Sequence, residues 1–273
     1  MNLSGDSSVA GLVIWPETTI RAHLHDDQHF REALFDVAEK LQGPMLVGGL
    51  DVADHGNAEF NSLFVVSPNR TFAGVYHKTR LLPFAEAVPL PSSWWRTTGH
   101  FASGESPKLL VLPDAVLNAA DSGPGSLLIA PSICYEALFP GFFNRTVRDG
   151  AELLINITDD SWFGDTNAPW QHLQGAIFRA VETRRPLVRA SNSGISAIID
   201  PSGRITARTG LFTRTVMQGA ITPTHGQTLF VRCGDWFAWL CVVVAIAYCV
   251  ARSRCMCPPD SQQLVRAVSG HPR

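Results

Sequence analysis

The sequence predicts an α/β sandwich, and three observations carry that expectation. Short β-rich runs alternate with helical ones across residues 1–230. Several of those runs are unbroken stretches of β-branched residues or leucine, as expected for strands that helices cover on a face. No internal repeat interrupts the alternation. A further apolar run, Trp236–Val250, then sets off the C-terminal end as a separate element.

Taken in order, the predicted strands are LVIW (12–15), MLVGGL (45–50), LFVVS (63–67), SLLIAPSI (126–133), ELLINIT (152–158), PLVRAS (186–191) and SAIID (196–200), read as one mixed sheet system. Between the first two, Phe30, Leu34, Val37, Ala38 and Leu41 recur at helical spacing. A second helix is predicted over Pro169–Arg184, with Leu173, Ile177, Ala180 and Val181 on one side and proline near the first turn. PSGR at 201–204 is a turn signal and predicts a hairpin after SAIID. Residues 83–125, rich in Pro, Gly, Ser and Trp, read as a functional lid or a disordered insertion.

Composition narrows the class. At 273 residues, 45% hydrophobic and with formal net charge −2, the chain can bury a sizeable core and lacks the basic excess that nucleic acid demands. Cys134 stands alone, whereas Cys233, Cys241, Cys249, Cys255 and Cys257 crowd one end, unlike a disulfide scaffold. CMC at 255–257 has no second ligand pair at finger-like spacing, so no metal is expected there. HLHDDQH (23–29) has metal-ligating residue types but reads as a solvated loop opening a helix. The first residues carry neither a basic n-region nor a long apolar h-region, so no signal peptide is expected. WFAWLCVVVAIAYCV (236–250) is short for a bilayer core of roughly 20 residues, yet tryptophans at one end and Arg252 and Arg254 at the other favour a transmembrane helix at 235–251 over a buried one. Residues 252–273 are expected to form a polar, disordered tail.

Three segments place chemistry-bearing residues where strands should end. IWPETTI (14–20) puts Glu17 just past a strand; VYHKTRLLPFAEAVPL (75–90) carries Lys78, Arg80 and Glu86; PSICYEALFP (131–140) sets Cys134 beside Tyr135 and Glu136. A thiol is a weak nucleophile until its proton leaves; a carboxylate can take that proton and a cation can stabilise what remains. Singly, each has a blander reading: a packing cysteine, a helix-capping glutamate, a solvated lysine, surface carboxylates. Trp162 and Trp170 read equally well as core aromatics, and His172 as a satisfied structural histidine.

Together, WPET, HKTRLLPFAEAVPL, ICYE and the run NITDDSWFGDTNAPWQHLQGAIFRAVETRRPLVRASNSGISAIIDPSGRI (156–205) resemble the nitrilase (carbon–nitrogen hydrolase) superfamily, and within it the apolipoprotein N-acyltransferase family, over roughly residues 10–250. The resemblance implies a nitrilase-like α-β-β-α sandwich and a triad of Glu17 as general base, Lys78 as thiolate and oxyanion stabiliser and Cys134 as nucleophile. It implies supporting roles for Glu86, Glu136 and Tyr135, a substrate pocket involving Trp162, Trp170 and Asn61, and no metal or other cofactor. The implied partners are a phospholipid acyl donor, an apolipoprotein acceptor and a bacterial inner membrane, with the catalytic domain on its periplasmic side. The pattern departs from that family at its start: a bundle of transmembrane helices and the first strand and helix of the catalytic domain have no counterpart, which suggests a truncated form or a missing membrane portion. A carbon–nitrogen hydrolase (amidase) and an inactive remnant are the alternatives.

Overall fold

A computed structural model describes residues 11–53, 58–87, 101–112 and 126–255. The predicted absence of an opening strand and helix, the tail beyond residue 255 and much of 83–125 lie outside those residues. The chain divides into two units, Met1–Arg232 and Cys233–Arg273.

In the first unit the mixed strand set is split between two sheets. One contains β1 (Val13–Ile14), β2 (Ile20–His23), β3 (Met45–Val52), β4 (Glu59–Ser67) and β5 (Thr71–His77). Its order is β1-β3-β4-β5, with β2 also pairing β3. The other contains β6 (Leu110–Leu112), β7 (Leu127–Ile133), β8 (Leu153–Asp159), β9 (Leu187–Asn192), β10 (Ala197–Ile199) and β11 (Ile205–Arg208), in the order β11-β10-β9-β8-β7-β6. All seven predicted strands are present. β2, β5 and β6 are additions: β2 is four residues with an arginine and a histidine, β5 (TFAGVYH) has a weak apolar signal broken by Gly74, and β6 is three residues inside the stretch read as irregular.

Period-two alternation explains the layers. Met45, Val47, Phe64 and Val66 face one way and pack with Leu34, Phe35 and Ala38 of α1 (Gln28–Leu41). Their neighbours Leu46, Leu63 and Val65, with Tyr76, join the core of the second sheet through Leu127, Ile129, Leu153 and Ile155. α1 starts where Asp27 accepts a hydrogen bond from the Phe30 N–H, 3.2 Å, and stops at Gln42 in the left-handed region. The HLHDDQH segment therefore does open a helix, although His25 is also bonded to the buried Asp51.

β7, β8 and β9 run parallel, Ile129 opposite Leu153 and Leu154 opposite Leu187. A parallel crossover needs a covering element; α2 (Asn144–Arg148) lies between β7 and β8, and α3 (Ala168–Thr183) between β8 and β9. α3 has proline in its first turn and buries Leu173, Ala176 and Ala180, along with His172 and Arg179. The predicted hairpin at 201–204 joins β10 to β11, with Asp200 Oδ1 accepting from the Ser202 and Arg204 N–H groups. α4 (Leu229–Cys233) closes the unit's chain.

In the second unit, α5 (Trp236–Cys255) is 20 residues long, about 30 Å at 1.5 Å per residue. It runs five residues, ARSRC, beyond the predicted apolar stretch. Trp236–Ser253 has mean hydropathy 1.8, long and apolar enough to cross a membrane. Trp239, Val243, Ile246 and Tyr248 are exposed.

Candidate active site

The site is built at strand ends, where backbone pairing stops and side chains are free to converge. Glu17 follows β1, Lys78 follows β5, Cys134 follows β7, and Asp159 and Asp160 end or follow β8. Glu17, Lys78, Asn61 and Glu86 are all buried. Lys78 Nζ donates to Glu86 Oε1 at 2.7 Å and to Glu17 Oε1 at 3.3 Å. Asn61 Nδ2 donates to Glu17 Oε1 at 2.7 Å and to Glu86 Oε1 at 3.2 Å. The other oxygens of the two carboxylates accept from backbone: Glu17 Oε2 from Asp159 N–H, 2.7 Å, and Glu86 Oε2 from Leu82 N–H, 2.7 Å. Two carboxylates thus share one ammonium and one amide. The Lys78 backbone is held as well, its N–H on the Asn61 carbonyl and its carbonyl on the Gly104 N–H.

Gly48 lets β3 pass under this cluster. A Cβ there would lie 2.3 Å from the Pro16 carbonyl oxygen and 2.7 Å from Glu17 Cα, so any side chain would push the Glu17 backbone away.

Cys134 opens a short 3-10 turn, Cys134–Leu138, with φ +51. For a residue with a Cβ that conformation costs about 1–3 kcal/mol and persists only where its surroundings enforce it. Burial, then the charge of Glu17, push the thiol up to about 12, against the opposing pull of Lys78, a Thr158 hydrogen bond and Arg189. The sulfur therefore lies in the fields of both Glu17 and Lys78 and carries its proton at neutral pH. Burial acts to lower the Lys78 pKa, but Glu17, Cys134 and Glu86 outweigh it and raise it, so this lysine stays cationic.

Glu136 and Tyr135 sit differently. Glu136 is fully buried and accepts from Tyr76 OH, Thr79 N–H and Oγ1, Arg80 N–H and Ile133 N–H, at 2.6–2.9 Å. It clamps the loop after Lys78 to the turn at Cys134; burial raises its pKa and these donors oppose the rise. Tyr135 is half-buried and packs edge-on against Phe139, centroids 4.8 Å apart, with the Arg80 guanidinium over the Phe139 ring. Trp162 is 74% exposed and Trp170 37%, the latter under the Arg208 guanidinium, so neither is a core aromatic. Trp162 lies in the 3-10 turn Ser161–Phe163, which one residue, Asp160, separates from the Asp159 whose N–H holds Glu17.

Sequence reasoning missed a second buried cluster behind the nucleophile. Asp160 accepts from Arg189 Nη2 at 2.8 Å, from Thr158 Oγ1 at 3.0 Å, and bonds His172 Nδ1 at 2.9 Å. Burial opposes ionisation of Asp160, yet His172 and Arg189 draw its pKa down to about 2. Arg189, fully buried in mid-strand, also donates to Asn156 Oδ1. The available signal was DDSW and PLVRAS within the 156–205 run: an arginine in an otherwise apolar strand needs a buried anion.

Among known proteins, a carbon–nitrogen hydrolase family model matches residues 6–228. The apolipoprotein N-acyltransferase of Geobacter metallireducens is 36% identical over 254 residues, 89% of this chain and 46% of that protein. That of Vibrio vulnificus is 31% identical over 262 residues, covering 90% and 49%. The chain thus spans about half the length of these curated relatives. The crystal structure of Saccharomyces cerevisiae Nit3, of the nitrilase superfamily, shares the fold at TM-score 0.55 and 18% identity, covering 75% of this chain and 74% of that one.

Proposed function

The chain belongs to the carbon–nitrogen hydrolase family, and from that premise we propose that it is an N-acyltransferase with a Glu17–Lys78–Cys134 triad. One observation carries the chemical part: a thiol on a strained turn, facing a buried carboxylate and a buried ammonium held 3.3 Å apart. Because the thiol is not ionised at rest, the proton has to leave as the sulfur attacks, which makes Glu17 a general base rather than a bystander to a preformed thiolate.

In the first half-reaction Cys134 Sγ attacks the ester carbonyl of a phospholipid while its proton passes to Glu17. The carbonyl oxygen becomes an oxyanion, and Lys78, already charged, stabilises it without a proton transfer of its own. The intermediate collapses, Glu17 returns the proton to the departing alkoxide, and lyso-phospholipid leaves a thioester on Cys134. In the second half-reaction the neutral α-amino group of a diacylglyceryl-modified N-terminal cysteine attacks the thioester. Glu17 takes the amine's proton and delivers it to the sulfur as the amide forms. Glu86 and Asn61 hold Glu17 and Lys78 in register; Glu136 keeps their loop against the nucleophile turn; Tyr135, Trp162 and Trp170 border the acyl path.

Identity to named N-acyltransferases over about nine-tenths of the chain supports transfer over hydrolysis. α5 supports action at a bilayer, where the donor is concentrated; we place the chain at the bacterial inner membrane with residues 1–230 on the periplasmic side. The test is labelling with a fluorescent phospholipid, with and without Cys134→Ala, followed by addition of a lipopeptide. Cys134-dependent label that moves to the lipopeptide amine is expected. Label released only as free fatty acid would establish a hydrolase instead, and no label would mark an inactive form.

A further inference from the structure

The cluster behind Cys134 touches the nucleophile through its backbone. His172 Nε2 lies 3.2 Å from the Cys134 carbonyl oxygen, and Asn156 Nδ2 lies 3.5 Å from the same atom. A carbonyl only accepts, so Nε2 must carry a proton. The other ring nitrogen, Nδ1, faces Asp160 Oδ1 at 2.9 Å, and Asp160 is in turn gripped by Arg189. The chain of contacts runs Arg189–Asp160–His172–Cys134, joining β9, the end of β8, α3 and the turn after β7. Every side chain in it other than Cys134 is at least nine-tenths buried. The packing around it is closed: a Cβ at Gly194 would lie 2.3 Å from Asp160 Oδ2.

We propose that His172 is a positioning residue for the nucleophile: its Nε2–H, oriented by Asp160 and Arg189, holds the Cys134 carbonyl and keeps residue 134 in its left-handed conformation with the sulfur facing the Glu17–Lys78 pair. None of these groups touches substrate; they act through Cys134, so the inference rests on the reading of that residue as the nucleophile. Without the anchor the turn relaxes toward negative φ, and the sulfur leaves the burial and the Glu17 charge that suppress its ionisation at rest, and with them the base that activates it when substrate arrives.

The consequence is a pair of opposite effects. At pH 9 the wild-type thiol, pushed up to about 12, is almost wholly protonated. A released sulfur returns toward the ordinary value of 9.0 and is half ionised. Iodoacetamide alkylation of Cys134 at pH 9, read by peptide mapping, is therefore expected to rise at least tenfold in His172→Asn, while acylation by the fluorescent phospholipid falls at least tenfold. His172→Gln, whose amide nitrogen reaches the Nε2 position, is expected to keep both rates near wild type. Thermal midpoints of both variants establish that they are folded. Folded His172→Asn with wild-type alkylation at pH 9 would overturn the proposal, as would equal loss in the Asn and Gln variants. Should His172→Asn not fold, histidine-ring 15N NMR on the wild-type 273-residue chain decides: a proton-bearing Nε2 at neutral pH that shifts on alkylation of Cys134 supports it, and a bare Nε2 overturns it. If phospholipid labels nothing, the functional reading fails, yet the alkylation and NMR arms still judge this inference.

Discussion

Two buried polar clusters flank Cys134, and they are opposites in composition and in aim. On the side of the first sheet, two carboxylates, Glu17 and Glu86, share one cation, Lys78. On the side of the second, two basic groups, Arg189 and His172, share one carboxylate, Asp160. The first cluster supplies the base and cation for the sulfur; the second holds the backbone that carries it, its Arg189 adding a smaller pull on the thiol. An ion pair buried this deeply gains little net stability over an apolar replacement, so neither arrangement is explained by stability alone. The comparison teaches that one nucleophile needs two kinds of polar support: groups that meet its proton and its developing charge, and groups that fix its backbone.

That division can be broken most directly at the reacting groups. Glu17→Gln keeps one oxygen, for Asn61 and Lys78 on the one side or for the Asp159 N–H on the other, and cannot take a proton. Phospholipid labelling is expected to fall by about 10²–10⁴-fold, with the thermal midpoint little changed. A large loss of stability with labelling intact would put Glu17 on the structural side of the comparison.

Lys78→Met should cost both. Removing the shared cation leaves two buried carboxylates facing each other, worth about 3–5 kcal/mol of unfolding free energy, measurable by urea denaturation, and activity is expected to vanish with it. Stability near wild type would mean that water compensates the carboxylates and that the cluster is less closed than its burial indicates.

The pH dependence of stability separates the clusters by sign. Asp160 is held at about 2 against an ordinary 3.8; its contribution is complete above 3.8 and drains away as pH falls toward 2, roughly 2 kcal/mol. Cys134 is shifted the other way, so its contribution is present below 9 and is lost as pH rises from 9 toward 12. Urea unfolding across pH should show the acid loss shrink in Asp160→Asn and the alkaline loss shrink in Cys134→Ala.

The smallest expected effect comes from a cluster of similar composition at the surface. Arg70 bonds Glu32, Asp36 and Glu39 of α1, all exposed. Arg70→Ala should leave the thermal midpoint nearly unchanged, because solvent already screens those charges. The contrast with Lys78 isolates burial as the variable.

How much of this could be read in advance follows the same division. Glu17, Lys78, Glu86 and Cys134 were legible from the motifs WPET, HKTRLLPFAEAVPL and ICYE, and Asn61 from EFNSLFVV; the structure joins Glu17, Lys78, Glu86 and Asn61 by hydrogen bonds, with Cys134 in the fields of Glu17 and Lys78. Glu136 was legible by position, though its work as a clamp on Thr79 and Arg80 is visible only in three dimensions. Asp160 and Arg189, 29 residues apart, were not: neither stands out in a chain with 22 Lys and Arg and 24 Asp and Glu, and only the parallel pairing of β8 with β9 makes them neighbours. For the fold, long apolar runs such as β7 and β8 were clear. β5 was missed because its outer face is exposed and its weak pattern is completed by pairing with β4.

The central claim is that the Cys134 sulfur, activated by Glu17, receives an acyl group from phospholipid. Tandem mass spectrometry of the 273-residue chain after incubation with a defined phospholipid and no acceptor tests it. One acyl group on the Cys134 peptide, labile to hydroxylamine and absent in Glu17→Gln, is the expected result. An acyl group found elsewhere, or found equally in Glu17→Gln, would contradict it.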